Sequence, residues 1–162
     1  MLFINLKIKI TTMKTLLYLL IIYIFSYSSL FPQSKFGLGI ILGEPTGISG
    51  KLHLNNTSSV DAAIGWSYYK YGSLHIHADY LSNITTLTEE VSFYIGAGGR
   101  IKIKNKDKQE DTKLAIRIPV GLTFEPNSIP IDVFAEIVPM LDLVPSSEFS
   151  FNAAVGIRYY FK

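Results

Sequence analysis

The chain has no cysteine among its 162 residues. This absence excludes a disulfide framework, a thiolate metal site and a lipid anchor attached through cysteine. Charged residues are also scarce at 17%, whereas hydrophobic residues reach 48%, so the composition fits either an apolar core or a lipid-facing surface. Beyond the N-terminus the sequence has no apolar run long enough for a helical membrane span. The length fits a single domain.

The N-terminus is the one continuously apolar part of the sequence. Residues 15–25 form an uninterrupted apolar stretch. Lys14 precedes this stretch and serines follow it. A charged region, an apolar region and a small-residue exit are typical of a secretory signal. A membrane-anchor helix is the alternative, but a span needs about 20 apolar residues. We therefore predict a signal peptide over residues 1–34, with Met13 as an alternative start, and one domain over residues 35–162.

Removal of this segment changes the charge of the chain. Residues 1–34 contain three lysines and no acidic residue, so the formal charge moves from +2 to about −1, with 12 basic residues against 13 acidic ones. The remaining domain has no clustered basic face, and we expect no nucleic-acid partner.

The rest of the sequence alternates between large apolar residues and small or polar ones, with the period of a β-strand. Clusters of turn-forming residues divide it into eight such segments. These are residues 35–43, 48–54, 60–69, 73–81, 91–104, 112–125, 131–138 and 149–161. An even count with short connections predicts an all-β fold, an eight-stranded antiparallel up-and-down transmembrane β-barrel.

Three further expectations concern individual connections and prolines of this barrel. Residues 82–90 are expected to form a connection. Pro119 lies within the sixth segment and predicts a bulge or an unbonded site, because proline has no ladder donor. Pro139 predicts that the seventh strand ends near Val138 and that residues 139–148 form a turn.

The distribution of glycine indicates which row faces inward. Most glycines share a row with the charged residues, as expected for a crowded interior where long ion-paired side chains need small neighbours. The opposite row has aromatic residues near the segment ends, which is typical of barrels in lipid. A soluble β-sandwich with these aromatics in its core is the alternative. The predicted polar network of the lumen comprises Asp61, His75, His77, Asp79, Arg100, Arg117, Glu125, Asp132, Glu136 and Arg158.

His75, His77 and Asp79 share one face at two-residue spacing. They could share a metal ion if a third ligand came from an adjacent strand. The sequence favours a hydrogen-bonded network instead, with the imidazoles paired to Asp61 or Glu136, and we expect no metal and no cofactor.

Two functional alternatives use the same residues. Ser67 or Ser73 with a histidine would suit an enzyme acting on lipids, but the histidines face the lumen if the apolar row faces lipid, so the prediction is non-enzymatic. The lumen charges could also line a narrow porin-like channel. In a barrel of eight strands they are expected to pair and plug the lumen instead.

Several phrases resemble a family of uncharacterised small bacterial outer-membrane β-barrel proteins, and the likeness covers residues 35–162. They are Gly37–Lys51, Leu74–Leu81, Gly96–Ile101, Ile116–Leu122 and Gly156–Phe161. More distantly, the chain is similar to the eight-stranded transmembrane domain of outer-membrane protein A. The resemblance implies this fold and a location in the bacterial outer membrane, with membrane lipid as the surroundings, and it implies no activity.

The end of the chain is similar to the C-terminal signal that the barrel-assembly machinery reads. Gly156, Tyr159 and Phe161 match that signal, whereas Ala154 and the extra Lys162 depart from it. We expect a monomeric barrel with a structural or surface-contact role, whose turns at 43–47, 69–72, 105–111 and 139–148 face outward. The charged loop 105–111 is then the expected place for contact with an extracellular protein.

Overall fold

The computed structural model describes residues 35–67, 73–106 and 109–161, and the side chains of 67, 104–106 and 109–111 are outside that description. The predicted signal peptide at 1–34 therefore lies outside the described residues. The nine strands are β1 (Phe36–Gly43), β2 (Thr46–His53), β3 (Ser58–Ser67), β4 (Ser73–Thr88), β5 (Val91–Lys106), β6 (Gln109–Arg117), β7 (Val120–Phe124), β8 (Ile131–Val144) and β9 (Glu148–Phe161). Within the described residues, no helix is long and apolar enough to cross a membrane.

The strands form a closed antiparallel ring. Consecutive strands pair with each other except β6 and β7, which follow one another along one place between β5 and β8. The ring closes where β1 pairs with β9, with Phe36 opposite Phe161 and Gly43 opposite Ala154. Nine strands thus make a ring of eight places, and the predicted eight-stranded barrel is confirmed.

The sixth place in the ring is interrupted at Pro119. On β5, Gly98 faces Arg117 and Ile95 faces Val120, so two residues on each strand lie between these pairs. The register is therefore continuous, and the interruption is the unbonded site that proline predicts rather than a bulge. The Pro119 carbonyl still accepts a hydrogen bond from the Gly96 amide at 2.8 Å.

The prediction that the seventh strand ends near Val138 was wrong. Strand β8 continues through Pro139 to Val144, and Pro139 stays in register opposite Phe151 on β9. The Pro139 carbonyl accepts a bond from the Ile118 amide at 3.0 Å, on the side of β6 and β7. Since the amide and carbonyl of one strand residue point to the same neighbour, the missing donor falls on that interrupted side and leaves the ladder to β9 intact.

Other predicted connections are also shorter in the structure. Strand β4 runs to Thr88, with register shifts between Asn83 and Thr85 and between Thr86 and Thr88, so residues 82–88 belong to a strand. Strand β5 runs to Lys106 and β6 starts at Gln109, so most of the predicted loop 105–111 is strand. The predicted strands were too short because the polar residues at their ends resemble turn signals.

The two faces of the wall differ as the alternation predicts. Outward side chains are large, apolar and exposed, such as Ile137 at 60% and Phe151 at 65%. Inward side chains are polar or small and buried, and Ser49 and Asp132 are fully so. A soluble sandwich, the alternative left open by the sequence, would bury the apolar row instead.

We name the two ends of the barrel for orientation. The terminal end has the first residue of β1 and the last residue of β9, which pair there. The far end has the opposite ends of the strands, namely the last residues of β1, β3, β5 and β8 and the first residues of β2, β4, β6 and β9.

Candidate functional site

Arg158 on β9 connects several strands across the barrel interior. Its Nη2 binds the Asp61 carboxylate on β3, and its Nη1 lies 3.3 Å from Asp132 Oδ2 on β8. Its Nε donates to Ser49 Oγ at 2.9 Å, and the guanidinium lies 3.8 Å from the centre of the Phe134 ring. A planar group with five donors and a stacking face suits this arrangement better than lysine would.

Gly156 provides the space that Phe134 occupies beneath Arg158. A Cβ at position 156 would overlap the Phe134 ring and would lie 2.6 Å from the Ile40 carbonyl oxygen. Gly156 thus has a packing role in the lumen, in addition to its predicted place in the assembly signal. Tyr159 and Phe161, the other two residues of that signal, face outward with their rings 5.3 Å apart.

Arg117 on β6 forms a second set of bonds inside the barrel. Its Nε lies 3.0 Å from Asp79 Oδ2, and its Nη2 lies 3.3 Å from Glu136 Oε1. The Tyr94 hydroxyl donates to the other oxygen of Glu136 at 3.0 Å. The guanidinium thereby joins carboxylates from β4 and β8.

His77 on β4 lies beside Asp61 and Asp79, and His75 contacts His77. His77 Nε2 is 3.7 Å from Asp61 Oδ1 and 3.9 Å from Asp79 Oδ2, and His77 Nδ1 is 3.3 Å from His75 Nε2. Asp61 and Asp79 face each other directly in the β3–β4 register. We call this group the central cluster, and it consists of Asp61, His75, His77, Asp79, Tyr94, Arg117, Glu136 and Arg158.

A terminal-end cluster consists of Lys51, His53, Glu125, Asp132 and Tyr160, and Asp132 connects it to Arg158 of the central cluster. Lys51 Nζ lies 3.3 Å from both Glu125 Oε1 and Asp132 Oδ2. His53 Nε2 is 2.7 Å from the Tyr160 hydroxyl, which donates to Asp132 at 2.9 Å. Burial opposes ionisation of Glu125, but the hydrogen bonds and charges of His53 and Lys51 outweigh it and lower its pKa to about 2.

The far-end cluster consists of Glu44, Arg100, Lys102, Lys113, Asp142 and Glu148. Arg100 binds Asp142 through Nη2, and Lys113 Nζ lies 3.2 Å from the other oxygen of Asp142. Lys113 also lies 3.4 Å from Glu148, and Lys102 lies 3.4 Å from Glu44. Three bases and three carboxylates thus pair with one another.

The structure distributes the ten predicted lumen residues over all three clusters. Seven lie in the central cluster, Glu125 and Asp132 lie in the terminal-end cluster, and Arg100 lies in the far-end cluster. The sequence predicted that the imidazoles pair with Asp61 or Glu136. Among the described side chains, His77 is within ion-pair distance of Asp61, and no histidine is recorded with Glu136.

Sequence reasoning missed several interior residues, namely Ser49, Lys51, His53, Tyr94, Lys113, Asp142 and Tyr160. Lys51 could have been predicted from the alternation, because it lies two residues after Ser49 on β2 and therefore points to the same, inward face. Asp142 was missed because the predicted seventh strand ended before it.

The serine–histidine pairing of the enzymatic alternative has no counterpart among the described side chains. Ser73 Oγ is buried without a hydrogen-bond partner, and the recorded partner of His75 is His77. The side chain of Ser67 lies outside the described residues. On the outer wall, a concavity of about 510 Å³ has a largely apolar lining that includes Leu42, Phe93, Ala135 and Ala153, and Glu136 also borders it.

Residues 27–162 match a family described as "Protein of unknown function (DUF3996)". The chain belongs to this family. The match includes the whole described barrel, and the family description assigns no activity to it. No curated protein sequence matches the chain.

Two solved structures of small barrels are similar to this one. The N-terminal β-barrel domain of Pseudomonas aeruginosa OprF matches with a TM-score of 0.61 and 15% identity, over 79% of this chain and 96% of that chain. Neisserial surface protein A (NspA) matches with a TM-score of 0.52 and 15% identity, over 79% of this chain and 94% of that chain. At this identity the likeness concerns the fold, which is that of small outer-membrane β-barrel proteins.

Proposed function

We propose that this protein is an integral β-barrel of a bacterial outer membrane, without enzymatic activity, that contributes to envelope structure or surface contact. The observation that carries this proposal is the outer wall, where large apolar side chains are exposed on every strand from β1 to β9. Burying one such side chain contributes about 1.5–3 kcal/mol, so a continuous wall of them in water would be strongly unfavourable. Lipid provides the apolar surroundings that this wall needs.

The rings near the terminal end support the same proposal. Phe36 and Phe161 stack with ring centres 6.4 Å apart, and Tyr159 packs against Phe161. Aromatic rings at strand ends are expected where a barrel meets the membrane interface.

Burial of the lumen charges supports a closed interior over a porin-like channel. Arg117, Lys51 and Asp132 are at most 2% exposed, and each has an oppositely charged partner. A water-filled channel would leave such side chains in contact with solvent. The paired interior is therefore proposed to act as a structural plug.

The even number of places in the ring supports a proposed orientation of the barrel. Both ends of the barrel domain lie at the terminal end, which we assign to the periplasm, so the far-end turns face the cell exterior. Surface contact would involve the hairpin around residues 105–111. The proposed surroundings are outer-membrane lipid, the proposed assembly factor is the barrel-assembly machinery, and the proposed state is a monomer.

Heat-modifiable migration and cell fractionation test this proposal together. The protein, extracted from membranes in detergent, should migrate differently on electrophoresis before and after boiling, because a folded barrel resists the detergent. It should also be recovered in the outer-membrane fraction. Identical migration of the two samples, with recovery in the soluble periplasm, would reject the proposal.

Conductance in a planar lipid bilayer tests the closed lumen. Wild-type protein should give no discrete single-channel steps, since the paired side chains fill the interior. Reproducible steps at all protein concentrations would favour the porin-like alternative instead.

A further inference from the structure

We propose that Asp61, His77 and Asp79 bind a divalent transition-metal ion inside the barrel, and that zinc suits their donor atoms best. The sequence placed His77 and Asp79 on one face of a strand, but it could not say which residue of an adjacent strand would be the third ligand. Strand β3 provides that ligand, since Asp61 lies directly opposite Asp79. One imidazole and two carboxylates are a donor set that zinc accepts, with one position left open.

The distances between the three ligand atoms are close to those of an assembled site. All three lie within 4.8 Å of one another, and His77 Nε2 is 3.7 Å from Asp61 Oδ1 and 3.9 Å from Asp79 Oδ2. Tetrahedral zinc with bonds of about 2.0–2.2 Å places its ligand atoms roughly 3.3–3.6 Å apart. The two distances from His77 Nε2 would need to shorten by at most about 0.6 Å, and the distance between the two carboxylate ligand atoms, which is no more than 4.8 Å, by at most about 1.5 Å.

Asp61 keeps one oxygen available for the ion. Asp79 presents its free oxygen only after rotation of the carboxylate, because Oδ2, which lies 3.9 Å from His77 Nε2, also lies 3.0 Å from Arg117 Nε. Arg158 binds the other oxygen of Asp61, which leaves Oδ1 directed toward His77. Asp79 is 3% exposed, and its Oδ1 has no hydrogen-bond partner among the described residues. A buried carboxylate oxygen without a partner is unfavourable, and a metal ion would satisfy it.

Gly98 shapes this side of the site. A Cβ at position 98 would overlap both Asp79 Oδ1 and the Ala78 carbonyl. The glycine therefore leaves the volume in which the unpartnered oxygen lies.

His75 orients the imidazole ligand. His77 Nδ1 lies 3.3 Å from His75 Nε2, and in the tautomer where Nδ1 donates, His77 Nε2 presents its lone pair to the two carboxylates. Histidine ligands of metals usually make such a second hydrogen bond, which fixes their tautomer and ring orientation. His75 is thus a positioning residue for the proposed site.

The charge balance also favours a cation at this position. The central and terminal-end clusters together have five carboxylates, namely Asp61, Asp79, Glu125, Asp132 and Glu136. Against these stand Lys51, Arg117 and Arg158, together with His53 beside Glu125. A divalent ion would balance the surplus of negative charge, and it would separate Asp61 from Asp79, because like charges directly opposite on neighbouring strands repel.

Metal content after refolding tests this inference independently of membrane location. The chain, produced without a polyhistidine tag, is refolded in detergent with Zn²⁺ or Co²⁺, dialysed, and its bound metal counted by plasma mass spectrometry. We expect one ion per folded chain and, for Co²⁺, the intense visible absorption of tetrahedral coordination. Folding of each sample is verified by heat-modifiable migration.

Four variants identify the ligands. His77→Gln and Asp79→Asn should each weaken binding more than 100-fold, and His75→Gln should weaken it about 10–100-fold, as loss of an orienting partner does. His53→Gln is the matched control, because His53 lies in the terminal-end cluster with Glu125 and Tyr160, and it should bind like wild type.

Two results would overturn the inference. One is folded wild-type protein that retains neither ion at micromolar concentrations, in which case protons balance the surplus charge. The other is equal binding by folded His77→Gln and His53→Gln. If His77→Gln does not fold, Asp79→Asn, which is isosteric, provides the same comparison.

Discussion

The central and far-end clusters lie in the same lumen but balance their charges differently. Among the described side chains of the far-end cluster, three bases meet three carboxylates, and Asp142 has two basic partners, Arg100 and Lys113. In the central cluster two arginines meet three carboxylates, and Asp61 has one arginine partner, Arg158, beside His77. The difference teaches that the lumen is not one uniform plug: Asp142 at the far end has two cationic partners, whereas Asp61 at the centre depends on one arginine.

Replacing Arg158 should give the largest loss in the free energy of unfolding. Arg158→Met would leave Asp61 without its guanidinium partner, whereas Asp132 would keep Lys51 at 3.3 Å. Removing one partner of a buried ion pair costs about 3–5 kcal/mol. The free energy of unfolding is measured by urea titration in lipid vesicles, followed through the fluorescence of Trp66, the single tryptophan.

Outcomes of that experiment bear directly on the central cluster. A loss below about 1 kcal/mol would contradict single-group dependence, because an unpaired buried carboxylate should cost more. Trp66 faces outward on β3, so the probe itself is not part of the cluster.

A smaller effect is expected from filling the space beside Phe134. Gly156→Ala would place a methyl group on the Phe134 ring, and overpacking of this kind costs about 1–3 kcal/mol. Gly99→Ala is the control, since the nearest atom to its new Cβ, the Ala115 carbonyl oxygen, would be 3.8 Å away. Both are compared by the same urea titration.

This pair also separates two roles of Gly156. Loss of stability in purified, refolded Gly156→Ala indicates packing in the lumen. Unchanged stability with reduced insertion in cells would instead indicate that the assembly signal alone requires the glycine.

Replacing Arg100 should have a still smaller effect. Arg100→Met leaves Asp142 with Lys113 at 3.2 Å, so the carboxylate keeps a charged partner. We expect a loss of about 1 kcal/mol, close to one net hydrogen bond. Equal losses for Arg100→Met and Arg158→Met in urea would show that the two clusters do not differ in redundancy.

The smallest effect concerns the terminal-end cluster at low pH. The pKa of Glu125 is about 2 in the folded chain, below the ordinary value of 4.5. A lowered folded pKa stabilises the fold above the unfolded value, and that contribution disappears as pH falls from about 4.5 to 2. Glu125→Gln should therefore flatten the pH dependence of unfolding in this window.

The effect should be modest because the Glu125 side chain is 38% exposed and solvent screens its ion pair. Glu148→Gln is the matched control at the far end, where the side chain is 65% exposed. A pH profile of Glu125→Gln that superimposes on wild type would remove Glu125 from the terminal-end cluster.

Much of the fold could be predicted from the alternation alone. The two-residue period assigned Ile137 and Phe151 to the outer wall and Arg158 to the lumen, because successive strand side chains point to opposite faces. Strand ends were less predictable. Polar residues at 82–88 and Pro139 look like turn signals, yet pairing with β5 and β9 keeps these stretches in strands.

Pairing across the lumen could not be predicted from parity. Arg158 and Asp61 are 97 positions apart, and Arg100 and Asp142 are 42 apart. Which inward groups meet depends on the register of every strand pair and on the stagger that accumulates around the ring.

The sequence by itself determined the all-β period, the membership of the two rows and the polar character of the interior, because these depend only on local backbone geometry. The tertiary structure decided which carboxylate each arginine binds, that Asp61 faces Asp79, and that His77 lies between them. Pairing of β3 with β4 places Asp61 opposite Asp79, whereas ring closure between β1 and β9 brings Arg158 to Asp61, since a closed barrel brings β9 within reach of β3.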